Sequence, residues 1–256
     1  AYLKASAAWM LSTYGHSSTK FVVMHVRLHC RAASDMLQVG QRENASDNLT
    51  HACECWSKLN AQALERILSP MDLEGLRYVA FNGLMDYCML LREGIGRGTD
   101  KDREEKLGKC VGLVLDLLPY LPSECQRFCR LLLDIGQEQI LAGSYEAGLH
   151  YLRTTVSTLR QHQITPGNDR TERGDNNNLL LVKALLAMAY AFQELGQYEK
   201  ALESVNASEE VPFPDNSSQS VSSETFAFAK LSIHCRQGDA GSASAQLRRL
   251  IQEAGS

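Results

Sequence analysis

Two short clusters carry the nitrogen and sulfur atoms best suited to chemistry, His29-Cys30 and His51-x-Cys53-x-Cys55. Structural zinc takes paired ligands, typically about two to four residues apart, from each of two segments. On a helix Cys53 and Cys55 would point about 200° apart, so one ion could not use both without unwinding it. No metal is therefore expected, and these cysteines are read as core or surface thiols. His16, His25, His150, His162 and His234 fall at no ligand spacing. Gly94, Gly96 and Gly98 (GIGRG) lack the preceding strand that a nucleotide-binding loop requires. Asp100, Asp102, Glu104 and Glu105 stand where a helix would start, and acids there complement the helix dipole. There is no glycine-rich phosphate loop, no G-x-S-x-G and no HExxH. The expectation is a non-enzymatic protein with no catalytic residues, no cofactor and no small-molecule substrate.

The elements that position these residues belong to a chain of 256 residues, long enough for a sizeable core. It is 44% hydrophobic and 22% charged, with 18 glycines and 6 prolines, which excludes wholesale disorder and a collagenous or linker-like chain. Lys+Arg 26 against Asp+Glu 30 gives a net charge of −4, so neither direct nucleic-acid binding nor an anionic membrane is expected. The densest apolar run, Val111–Leu118, contains Gly112 and Asp116 and is far short of a membrane span. Eight cysteines, most of them among apolar residues at helical spacing, fit reduced core thiols and a cytosolic or nuclear compartment. Asn-x-Ser/Thr triplets begin at Asn44, Asn48, Asn206 and Asn216; such short motifs recur by chance. The chain opens at Ala1, as expected of a processed protein or a piece of a longer one.

Apolar residues recur at three and four along nearly the whole chain, the spacing of amphipathic helices. Helices are expected at Tyr2–Tyr14, Val22–Gln38, Ala45–Leu68, Leu73–Arg92, Lys101–Leu118, Glu124–Leu141 and Tyr145–Gln161. Others follow at Leu179–Leu195, Tyr198–Ala207, Ser223–Arg236 and Ser242–Ala254. Lys20–Val26 is the one short β-branched stretch, and it runs into a helical pattern. The segments 161–178 and 208–222 have loop composition, with prolines, serines and a triple Asn, and are read as inserted loops. The fold class is all-α.

A repeat organises the second half. LAGSYEAGLHYL (141–152), ELGQYEKALESV (194–205) and RQGDAGSASAQL (236–247) each carry a glycine, then a residue two later that opens a helix. These pairs are Gly143/Tyr145, Gly196/Tyr198 and Gly238/Ala240. A small residue follows five after each glycine (Gly148, Ala201, Ala243), and an apolar one four further on (Leu152, Val205, Leu247). Seven before each glycine stand Gly136, Ala189 and Leu231. Glycine permits an immediate chain reversal, and the small residues let two helices approach closely. This is the tetratricopeptide pattern, which predicts antiparallel helix pairs stacked as a right-handed solenoid. The expected organisation is a helical-repeat portion at 1–123 continuing into helix pairs at 124–256.

The segments LLLDIGQEQILAGSYEAGLHYLRTTVSTL (131–159), LLLVKALLAMAYAFQELGQYEKALESV (179–205) and ETFAFAKLSIHCRQGDAGSASAQLRRLI (224–251) carry a further likeness. Their order resembles the meiotic Spo/Zip-type tetratricopeptide-repeat family, over about half the chain. That resemblance implies a scaffold promoting crossover recombination and synapsis, located in the nucleus on meiotic chromosomes. It implies recombination or chromosome-axis proteins as partners, with no direct contact to nucleic acid and none to a membrane. The alternative is an adaptor subunit of an unrelated cytosolic or nuclear complex.

In such an array the first helix of each pair lines a concave groove. Counting along the pattern places Arg130 and Gln137, then Lys183, Tyr190 and Gln193, then Thr225 and Ser232 on that face. An extended or helical peptide segment is the expected occupant. Arrays that clamp a terminal carboxylate use Lys and Asn in the first helices; Leu133, Gln137, Leu186 and Tyr190 stand here instead, which argues against a cochaperone.

Overall fold

The computed structural model describes residues 19–95, 99–163, 172–212 and 223–254. Among these residues it is all-helical, without a strand. The helix expected at Tyr2–Tyr14 lies outside them. The chain divides into two compact units, Ala1–Pro122 and Ser123–Ser256.

The first unit contains α1 (Thr19–Gln38), α2 (Arg42–Trp56), α3 (Ala61–Ile67), α4 (Pro70–Arg92) and α5 (Asp100–Leu117), followed by a 3-10 turn at Leu118–Tyr120. The β-branched Lys20–Val26 is helical throughout. The helix expected over Ala45–Leu68 is instead two. Helix α2 ends at Trp56, and Asn60 in extended conformation restarts the chain by accepting from the Gln62 N–H at 2.8 Å. An Asn side chain that caps a following helix outcompetes continuation of the preceding one. Ser69 caps α4 in the same way ahead of Pro70, whose missing N–H costs nothing in the first turn. Thr99 and Asp102 form a reciprocal capping box at the start of α5. Helix α4 packs on α1, α2 and α5, burying Leu76 and Phe81 completely, while Arg77 lays its guanidinium 3.6 Å over the Tyr120 ring.

The second unit contains α6 (Cys125–Leu141), α7 (Tyr145–Gln163), α8 (Glu172–Glu194), α9 (Tyr198–Glu209), α10 (Ser223–Gln237) and α11 (Ala240–Ala254). Each helix packs on the next, and α6 also meets α8 as α8 meets α10. One core runs through the unit, with Leu152, Leu159, Val182 and Val205 fully buried. The expected loop at 161–178 is shorter than its composition suggests, because α7 runs to Gln163 and α8 starts at Glu172. The triple Asn is drawn into helix because Asn176–Asn178 are half-buried and the Asn178 side-chain amide donates to the Pro212 carbonyl at 2.6 Å. Of the second expected loop, 208 and 209 close α9, and 213–222 lie outside the described residues.

Candidate protein-interaction face

The turns that create the helix pairs are alike in detail. Gly143, Gly196 and Gly238 have φ of 80°, 70° and 79°, the left-handed region that favours glycine. In each, the residue after glycine donates its N–H back to the fifth residue before it: Ser144 to Gln139 at 2.8 Å, Gln197 to Phe192 at 2.8 Å, Asp239 to His234 at 3.0 Å. Each glycine N–H in turn reaches the carbonyl three residues back, completing a Schellman closure. The small residues do what close packing needs. A Cβ on Gly136 would lie 2.9 Å from Leu152, and one on Gly148 would lie 2.8 Å from the Gly136 carbonyl oxygen. Ala189 and Ala201 are buried, whereas Leu231 and Ala243 in the last pair are only half-buried.

Sequence reasoning missed a further copy of this turn in the first unit. Gly40 has φ 75°, and Gln41 donates to the Met36 carbonyl at 2.9 Å. Helix α2 opens two residues after Gly40; Ala45 stands five residues on and Leu49 four more, both buried, while Ala33 lies buried seven residues before. The offsets are those of the other three copies, so the signal was present; Arg42 stands where two copies have Tyr. Gly94, with φ 76°, closes α4 by the same bond from Ile95 to Leu90, and Gly96 and Gly98 lie outside the described residues.

The candidate face falls on α6, α8 and α10. Arg130 and Gln137, Lys183 and Tyr190, and Thr225 and Ser232 are three pairs seven residues apart, and all six are exposed. Seven residues are close to two helical turns, so each pair occupies one side of its helix. Gln193 differs: it is buried, and its side-chain amide donates to the Ser232 hydroxyl at 3.2 Å across α8 and α10. One turn on, Arg236 forms an ion pair with Glu194 at 2.7 Å, which raises the guanidinium pKa further. Gln193 is therefore a strut between first helices. The structure also adds Phe228, 60% exposed between Thr225 and Ser232, next to a seam whose other helix carries the 48% exposed Tyr190. Aromatic rings left in water on a shared face are suitable anchors for a partner. The i, i+3, i+7 spacing of 225, 228 and 232 held that signal.

The histidines and cysteines of the first unit gather differently. His29 is buried, with Nδ1 at 3.0 Å from the Asn48 side-chain oxygen, and its ring lies between His25 and His51 at centroid distances of 5.9 and 5.4 Å. Asn48, one of the four triplet asparagines, is thus committed to the core. Cys53 turns inward while Cys55, two residues on, is half-buried. Among the described residues no group of three or more His, Cys, Asp or Glu side chains is disposed to hold a metal ion. Cys53, Thr50, Glu54, Tyr87, Lys106 and Lys109, with Asp102 and Glu105, line a pocket of about 320 Å³. Asp102 spends its carboxylate on Thr99, whose backbone and hydroxyl bonds lower its pKa.

Burial is the main cause that lowers the His29 pKa below its ordinary 6.5, with His51 and His25 adding to it and Asn48 opposing. The sign follows directly. Below pH 6.5 the unfolded chain binds a proton that folded His29 resists, so stability is full above that value and is lost as pH falls through it. We expect the stability of the protein, followed as its melting temperature, to fall as pH drops below about 6.5. His29→Gln should flatten that dependence in a calorimetric pH series.

No protein-family model matches the chain, and no curated protein does. Among solved structures, the crystal structure of BtubC (BKLC) from P. vanneervenii is similar at a TM-score of 0.42 and 10% identity, covering 98% of this chain and 88% of that one. A likeness at that level carries no functional argument. No described helix is long and apolar enough to cross a membrane.

Proposed function

We propose that this chain is a non-enzymatic protein-interaction scaffold, whose helix pairs form a tetratricopeptide-like right-handed solenoid and whose first helices bind partner proteins. One observation carries the reading: the three seven-residue pairs on α6, α8 and α10 are all exposed, while Leu133, Ala184, Leu185, Met188, Ala189 and Phe226 between them lie in the buried core of the unit. A face kept polar and open by a rigid stack presents side chains at fixed spacing to an extended or helical segment. The packing of α6 on α8 and of α8 on α10 supports a stacked arrangement.

The process served is crossover recombination and synapsis in meiosis, on nuclear chromosomes. The order of the 131–159, 179–205 and 224–251 segments supports this part. The net charge of −4 suits a protein that reaches chromosomes through other proteins and contacts no phosphate backbone itself. The test is affinity capture from meiotic tissue, comparing wild type with the Lys183→Glu, Tyr190→Ala double variant. Recombination or chromosome-axis proteins should be captured by wild type and lost, by tenfold or more, with the variant. Capture of only a somatic complex would support an adaptor role; full capture by the variant would place binding elsewhere.

A further inference from the structure

Two thiols meet inside the second unit. Cys125 opens α6 and Cys129 stands one turn further on, with their sulfurs 3.9 Å apart. Both are buried, at 3% and 0% exposure, in one apolar cluster with Leu133, Val156 and Leu159. The separation selects what the pair can do. Residues four apart on a helix hold their Cβ atoms about 5–6 Å from one another. A disulfide needs about 3.5–4.5 Å there, so closing one would unwind the first turn of α6. A single ion between the sulfurs needs no such change. Two metal–thiolate bonds of about 2.3 Å, the length typical of zinc, span 3.9 Å at an angle of about 116°. Side-chain rotation that parts the sulfurs to about 4.6 Å makes the bridge straight.

The number of ligands then selects the ion. Structural zinc takes four, and among the described residues no third His, Cys, Asp or Glu joins this pair. Two thiolates without a further donor suit a soft, monovalent ion. We propose that Cys125 and Cys129 are a two-coordinate Cu(I) site that staples the first turn of α6 to the second. Each thiol gives its proton to solvent as its sulfur–copper bond forms, and neither sulfur nor copper changes oxidation state. The complex carries one net negative charge, two thiolates against one cation.

Its place in the fold suits that charge. Cys125 is the first residue of α6, and the preceding Glu124 side chain makes no capping bond to the helix. The positive end of the helix dipole therefore lies beside an anionic complex. The apolar cluster keeps water from competing as a ligand. Entry is by the helix end, where first turns fray.

The experiment adds Cu(I) to the full chain without oxygen, against a chromogenic Cu(I) chelator, and records X-ray absorption on the one-equivalent complex. Wild type should hold one ion with two sulfur neighbours and melt at a higher temperature when loaded. Cys125→Ser and Cys129→Ser should each weaken binding by about a hundredfold or more, because the tethered second thiolate acts at high effective concentration. Both should also lose the thermal shift. Cys125→Ala carries the same prediction should the serine variants fail to fold. Cys53→Ser, in the first unit, should leave binding unchanged. Unchanged affinity in the Cys125 variants would overturn the proposal, as would loss of the ion with Cys53→Ser. So would a wild-type spectrum with nitrogen or oxygen neighbours, or with three or more sulfurs.

Discussion

Gly148→Ala should destabilise the protein by about 1–3 kcal/mol, although alanine is the better helix former by about 1 kcal/mol. The new Cβ would sit 2.6 Å from Ile140 Cγ1 and 2.8 Å from the Gly136 carbonyl oxygen. A side-chain atom could swing away, but a helix carbonyl cannot, so α6 and α7 must separate. Gly108 and Gly112 on α5 supply the control, since a Cβ at either meets nothing within 4 Å. Alanine at those positions should stabilise by up to about 1 kcal/mol. Chemical denaturation of the three variants separates the effects. A neutral Gly148→Ala would mean that α6 and α7 are farther apart than described.

A larger loss is expected from Leu152→Ala, about 2–5 kcal/mol. Leu152 is fully buried in the core of the second unit and touches the site where a Gly136 Cβ would go, its Cγ at 2.9 Å and Cδ2 at 3.0 Å. That contact makes the two positions interdependent. Gly136→Ala alone forces Leu152 to shift, whereas in the Leu152→Ala background the added methyl occupies space already vacated. The double variant should therefore be more stable than the two single losses summed, by about 0.5–3 kcal/mol. Additive losses would break the link between the small residue on the first helix and the apolar one on the second.

That pairing of small with apolar residues is the part of the fold most legible in the sequence. The glycine turns at 143, 196 and 238 and the helices flanking them follow from local chemistry: a left-handed glycine, a closing backbone bond and an apolar period of three and four. Features fixed by a single side-chain bond were less legible. The break before Asn60 needed one side-chain cap to outcompete a continuous helical pattern, and the triple Asn became helical through Asn178's bond to Pro212. Gln193 looks like any groove residue in the sequence, and only its bond to Ser232, 39 residues away, makes it a strut. The Gly40 copy has the offsets of the others but lacks the tyrosine that marks two of them. On the candidate face, the exposed pairs follow from helical period, and Phe228 shares that period with Thr225 and Ser232.

The exposed rings on that face also allow the most direct measurement. A photocrosslinking amino acid placed at 190 or 228, with a third protein carrying it at the exposed position 203 on α9, can be irradiated in extract from meiotic tissue. The scaffold reading predicts that recombination or chromosome-axis proteins become covalently attached from 190 and 228 and not from 203. Attachment from 203 with none from the first helices would contradict it.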